Sequence, residues 1–379
     1  MKVLILSCNT GEGHNSAGKA VKEYVEQQGD EAVMLDMMLL NGKKTSRVVG
    51  GAYVGLVKHF PHGFGFVYKI GKAVSTFWKR KSPVYLVCAL LGKKLKKYLD
   101  ENDFDVIVMP HLYPAETVTY LKKKGWLRQK TVAVATDYTC IPFWEETDCD
   151  YYVIPHEELI EEFVSRGVPE EKLLPWGIPV RPCFLEDKKK TEAREKCGLP
   201  QNDRIYLVMG GSMGFGKIQI FVLELARRLQ EDEGVVVICG NNRKLENTLR
   251  RELKNRPKVW VLGFTEQVAD YMSACDVIFT KPGGLSSTEA AASKIPMVHT
   301  TPIPGCENCN LEFFQNHGMS IGRKSFLGQL RAGRRLLEKE NLRRQMIRAQ
   351  EENAKPDSVK KVYRLLEELT QNDKKNMPF

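Results

Sequence analysis

The chain has 379 residues, 42% hydrophobic and 27% charged, with a formal net charge of +10. That is globular composition, long enough for two domains of roughly 150 to 200 residues, and it excludes a disordered tail protein. The charge is local: residues 37–99 carry 13 Lys or Arg and no Asp or Glu, whereas the rest of the chain sets 44 basic against 47 acidic residues.

Met1 leads directly into an apolar run at 2–7, which reads as a buried parallel strand and not as a secretory leader. A helix is expected at 15–28 and a second strand at 31–36, before the basic insert begins. Within the insert the longest uncharged apolar stretches, 48–57 and 82–92, fall short of the roughly 18 to 20 residues that span a bilayer. Short apolar runs at 106–110, 131–136 and 151–155 continue the strand pattern, so a Rossmann-like domain is expected over 1–180. The pattern breaks at 177–204 and restarts. Strands are expected at 204–209, 235–239, 259–262, 277–280 and 297–300, with helices at 218–230, 245–254, 268–274 and 286–293. This gives a second Rossmann-like domain over 181–345, and charged helices follow residue 329. The segment 346–379, with a helix at 356–369, is expected to return to the first domain. The fold class is α/β, with two such domains facing a central cleft.

Ten cysteines are scattered without a paired framework, and Cys88, Cys239 and Cys275 sit in apolar runs, which is reduced cytosolic usage. Cys306 and Cys309 form a single CxxC without a second pair or a nearby His at zinc-finger spacing, so no metal is expected.

Three glycine clusters follow expected strands. The first, residues 7–20, contains Gly11, Gly13, His14 and Gly18. A phosphate loop of the GxxxxGK[ST] type would need a hydroxyl at position 20, where Ala20 stands. A dinucleotide fingerprint would need Gly or Ala at position 16, where Ser16 stands, although Asp36 ends the second strand as that fold requires. The third reading makes Gly11, Gly13 and His14 one wall of the cleft, with a functional imidazole. The second cluster is Gly210, Gly211, Ser212 and Gly214. The third begins at Lys281 and runs through Gly283, Gly284, Ser286, Ser287 and Glu289, opening a helix with hydroxyls and amide groups suited to a diphosphate. Glu289 can accept from two vicinal ribose hydroxyls, and Glu307 and Asn310 can hold sugar hydroxyls.

The loop around His14, residues 210–214 and above all 281–310 resemble the lipid-sugar transferases related to plant monogalactosyldiacylglycerol synthases and bacterial processive diacylglycerol glucosyltransferases, with the peptidoglycan N-acetylglucosaminyl transferase more distant. The resemblance covers the chain from residue 1 to about 322. It implies a GT-B fold, a UDP-sugar (UDP-glucose or UDP-galactose) held by the second domain, and inversion at the anomeric carbon with no cofactor. Carried over by position, Gly13, Gly210, Gly211 and Ser212 lie near the donor, and Phe264 lies against the uracil. Gly283, Gly284, Ser286 and Ser287 hold the phosphates, Glu289 the ribose, and Glu307 and Asn310 the sugar. His14 is the base, with Asp137 as a second candidate or the group that orients the acceptor. Two positions depart from the pattern. Cys306 replaces a frequent Gln, which bears on the donor epimer. Ile141 replaces a His found in some bacterial members, which removes a His-assisted mechanism at that second site while Asp137 and Trp144 remain.

Nine aromatics are interleaved with the cations of 37–99, and the spacers between them are apolar. That pattern fits an anionic membrane surface better than nucleic acid, for which no recognition module is present. Phe77, Trp78, Lys79, Arg80 and Lys81 on one side, and Lys93 and Lys94 on the other, flank the apolar run 84–91. The enzyme is therefore expected in the cytoplasm, peripherally bound to the cytoplasmic face of the cell membrane. There it would transfer hexose to a lipid such as diacylglycerol. A soluble acceptor or a sugar-nucleotide epimerase is the alternative.

Overall fold

The computed structural model describes residues 1–8, 12–42, 82–210 and 218–375. The chain divides into two compact units, one of Met1–Pro182, Pro304–Cys306 and Lys355–Phe379, the other of Cys183–Ile303 and Glu307–Ala354.

The first unit runs β1 (Lys2–Ser7), α1 (Glu12–Gln27), β2 (Glu31–Asp36), α2 (Pro83–Ala89), α3 (Gly92–Glu101), β3 (Val106–Met109), α4 (Leu112–Lys123), β4 (Lys130–Val134), β5 (Tyr151–Val153), α5 (Ile160–Ser165) and β6 (Leu173–Leu174). Its six strands form one parallel sheet in the order β2-β1-β3-β4-β5-β6. Val3 to Leu6 and all of β3 are fully buried, as continuous apolar runs covered on both faces must be. The chain's last helix (Ser358–Lys375) belongs here too. Its Val362 and Leu366 lie in this core, Ser358 Oγ donates to the Gly177 carbonyl at 2.7 Å, and Tyr363 donates to Asp30 at 2.8 Å.

The second unit runs α6 (Lys190–Lys196), β7 (Arg204–Met209), α7 (Ile218–Arg227), β8 (Glu233–Ile238), α8 (Arg243–Glu252), β9 (Val259–Leu262), α9 (Val268–Ala274), β10 (Val277–Thr280), α10 (Gly284–Ala292), β11 (Met297–His299), α11 (Cys306–Asn316), β12 (Ile321–Gly322), α12 (Phe326–Glu338) and α13 (Glu340–Asn353). Its strands are again all parallel, in the order β12-β11-β10-β7-β8-β9. The chain leaves this unit nine residues later than the sequence pattern implied. α13 passes through position 346 without a break, Met346 lies in the second core, and Gln350 donates to the Ile295 and Met319 carbonyls at 3.0 and 3.2 Å.

Candidate functional site

A parallel sheet delivers every loop that follows a strand to the same edge. In the first unit β1, β3 and β4 are neighbours, so the residues after them converge. α1 starts at Glu12, which puts Gly13 and His14 in its first turn and not in a free loop. His14 Nδ1 lies 3.0 Å from the Pro110 carbonyl and 2.7 Å from Thr136 Oγ1. A carbonyl only accepts, so the proton sits on Nδ1 and donates to it, leaving the lone pair on Nε2. Asp137, part-exposed, joins His14 in one recess with Pro110, His111, Ile141 and Trp144. Trp144, expected on the membrane or acceptor side, is buried and shapes this recess. Gly18 has a packing role. A Cβ there would stand 3.1 Å from Met34 Cε and 3.2 Å from Ile5 Cγ2, so the glycine lets α1 lie close on the sheet.

Burial lowers the His14 pKa below the ordinary imidazole value, and the Asp137 carboxylate and the Pro110 hydrogen bond oppose that effect. The imidazole is therefore neutral at neutral pH. His111 is the residue that sequence reasoning missed. Ile141 carries no imidazole, yet the recess receives one from the carboxyl end of β3. The rings of His14 and His111 are 4.5 Å apart at 71°. The signal was there, because Pro110-His111 closes an expected strand just as the glycine clusters do.

In the second unit β10, β7 and β11 bring Lys281, Gly210 and Thr300 to one edge. They line a cavity of about 350 Å³ together with Lys324 and Gln329. α10 is capped by Gly283 and has no acidic residue in its first turn. The amides of Gly284, Leu285 and Ser286 occupy the positions that a helix start leaves without an intrahelical acceptor. A Cβ on Gly283 would meet nothing within 4 Å, so the approach to this helix end is open. Ser286 is half-buried beside it.

Three of the carried-over residues behave differently from expectation. Ser287 is fully buried, and its hydroxyl pairs with His299 Nε2 at 2.9 Å, while Ser320 Oγ pairs with His299 Nδ1 at 2.9 Å. Ser287 therefore anchors α10 to β11 and does not face a phosphate. Burial takes the His299 pKa down to about 3, so this link is neutral. Asn310, also fully buried, donates to the Pro282 carbonyl at 3.0 Å and braces the loop ahead of α10. Glu307 accepts from Lys281 Nζ at 3.0 Å and from the Ile303 amide at 2.6 Å, so both its oxygens already have partners. Phe264 is 63% exposed and follows β9, the far edge strand. Glu289 is buried one turn into α10.

Gly11, Gly211, Ser212, Phe77, Trp78, Lys79, Arg80 and Lys81 lie outside the described residues. Lys93 and Lys94 are exposed on α3, directly after α2, where Leu86, Val87 and Leu90 present an apolar outer face. Among the described residues no helix is long and apolar enough to cross a membrane.

Comparison with known proteins adds to this geometry. The family model for monogalactosyldiacylglycerol (MGDG) synthase matches residues 14–180, and that for glycosyl transferases group 1 matches residues 189–353. A processive diacylglycerol beta-glucosyltransferase of Bacillus subtilis is 30% identical over 325 residues, covering 84% of this chain and 82% of the relative. One of Bacillus pumilus is 29% identical over 323 residues with the same shares. Among solved structures, MurG of Acinetobacter baumannii superposes with a TM-score of 0.61 at 15% identity, over 97% of this chain and 99% of that one. The UDP-GlcNAc 2-epimerase of Neisseria meningitidis, bound to UDP-GlcNAc, gives 0.63 at 13% identity, over 97% and 100%. Anabaena Alr3699/HepE in complex with UDP and glucose gives 0.57 at 12%, over 97% and 99%. At these identities the structural likeness speaks for the fold alone.

Proposed function

The chain belongs to the family of the monogalactosyldiacylglycerol synthases and processive diacylglycerol glucosyltransferases, and on that premise we propose that it transfers a hexose from a UDP-sugar to diacylglycerol with inversion at the anomeric carbon. Its fold is GT-B and it is a hexosyltransferase. The observation that carries the mechanistic part is the His14 tautomer. With Nδ1–H committed to Pro110, the Nε2 lone pair is free to take the proton of an acceptor hydroxyl. The alkoxide oxygen bonds to the anomeric carbon as the bond from that carbon to the β-phosphate oxygen breaks, and UDP leaves with the electron pair. The α10 amides, the Ser286 hydroxyl and the Lys281 ammonium meet the charge that develops there. Asp137 steadies the imidazolium once it forms.

The donor's length fits this edge. β9 stands three strand spacings from β10, on the order of 14 Å at about 4.7 Å each. A uracil against Phe264 thus leaves a nucleotide's length to phosphates at α10. Diacylglycerol as acceptor is favoured by the relatives' named activity and by the apolar face of α2 followed by cations on α3. That arrangement suits insertion at an anionic cytoplasmic membrane surface, each cation adding about 1 kcal/mol. The acceptor distinguishes this reading from an epimerase or an enzyme with a soluble acceptor. The test is to incubate the protein with a panel of UDP-sugars and diacylglycerol vesicles, then read product mass and linkage. A β-linked hexosyl diacylglycerol is expected. UDP-sugar epimerisation, or transfer to water-soluble acceptors alone, would refute the reading.

A further inference from the structure

We infer that His111 is a positioning residue for the base. Its ring packs edge-to-face against His14 in the same recess, holds that imidazole with Nδ1 on the Pro110 carbonyl, and keeps water from its inner side. This inference rests on the reading of His14 as the base.

The local chemistry fixes His111 as firmly as it does His14. His111 is the N-cap of α4, where its Nδ1 accepts from the Tyr113 amide at 3.0 Å. The neutral ring therefore carries its proton on Nε2, the opposite tautomer from His14. Tyr113 backs the ring, 4.7 Å away at 62°. Pro110 and His111 are consecutive, so the residue that orients the His14 proton and the residue that packs against the ring move together at the end of β3. Thr136 closes the Nδ1 side at 2.7 Å. The free space between these groups is about 10 Å³, close to the least that holds one water. A smaller side chain at 111 would admit more.

A cap needs no ring, and that separates the inference from a purely structural role. Asn, Ser or Asp would accept the Tyr113 amide as well as an imidazole does. Among the described residues of this unit, the charged and titratable groups facing His14 are Asp137, from the loop after β4, and His111, from the β3–α4 junction. Tyr113 lies behind His111, and on α1 the neighbouring Asn15 bonds Ser7 and not the imidazole. Burial holds His111 well below the ordinary imidazole range, with His14 a second cause, so His111 is uncharged throughout the working range and does not compete for the proton. Taking the ring away leaves the Asp137 attraction in place and relaxes the burial that opposes it. The His14 pKa must then rise toward its unperturbed value near 6.5.

The experiment compares His111→Asn with His111→Phe. Asn keeps the cap and loses the ring, whereas Phe keeps a ring and loses the cap. His111→Asn is expected to melt near the wild-type temperature and to lose tenfold to a hundredfold in kcat, on the order of what a misplaced catalytic group costs. Its KM for UDP-sugar should be unchanged, and the acidic limb of its kcat–pH profile should move up. His111→Phe is expected to melt lower while keeping the acidic limb in place. Wild-type kcat and acidic limb in His111→Asn would overturn the inference, as would the same limb shift in both variants. A His14→Ala control separates the two readings: if it keeps transfer, the base assignment falls and this inference with it. If it loses transfer while His111→Asn behaves as wild type, only the positioning role falls.

Discussion

The two sheet edges use the same architecture for opposite chemistry. At the first, three neighbouring strands converge on two imidazoles and a carboxylate, His14, His111 and Asp137, shaped by one carbonyl and one hydroxyl. At the second, the groups around α10 are backbone amides, hydroxyls, the Lys281–Glu307 ion pair and the buried Glu289, while His299 is sealed inside as a neutral brace. An edge that moves a proton needs a pKa tuned by burial against a neighbouring charge. An edge that stabilises a departing phosphate needs preorganised donors and cations aimed at the developing charge. The difference predicts that changes on the first edge alter kcat and its pH profile, while changes on the second alter donor affinity.

Glu289→Gln should show the largest separation of this kind. The resemblance puts Glu289 on the donor's ribose, and removing that charged acceptor should raise the donor KM about tenfold to a hundredfold, the equivalent of about 1.5 to 3 kcal/mol. The acidic limb of kcat should not move in steady-state assays. Ser286 and Ser287 make a sharper pair. Ser286→Ala should raise the donor KM by up to about tenfold, the worth of one hydrogen bond. Ser287→Ala should instead lower the melting temperature by undoing the His299 brace. A large donor KM effect from Ser287→Ala without loss of stability would break the account of that edge.

Asp137→Asn tests the first edge by sign. The carboxylate raises the His14 pKa, so its loss lowers it, and the acidic limb of kcat should move to lower pH, opposite to His111→Asn. The smallest effect belongs to the surface beside α2. Lys93→Gln and Lys94→Gln should each weaken sedimentation with anionic vesicles by about fivefold, or about 1 kcal/mol, and leave neutral vesicles unaffected.

The sequence made the strand–helix alternation legible because buried parallel strands are continuous apolar runs. β6 and β12 escaped because two-residue strands carry no period. The glycine clusters located both edges, but not the facing of individual side chains. Ser286 and Ser287 are about 100° apart around a helix, so only one can look toward the helix mouth. Which one does is decided by His299, twelve residues on and beyond any local pattern. Glu307 and Asn310 read as sugar ligands by position, yet the structure shows them bracing Lys281 and the Pro282 carbonyl. Such pairings become visible only when β10 and α11 are folded together. His111 lacked the glycines that drew attention to His14, and only the convergence of β1 and β3 joins them.

The division of labour is tested most directly by binding UDP to wild type and to His14→Ala by calorimetry while assaying hexose transfer to diacylglycerol. The account predicts that His14→Ala binds UDP as tightly as wild type and loses transfer by a factor on the order of 10² to 10⁴. Transfer retained within a few fold, or UDP binding lost together with transfer, would contradict it.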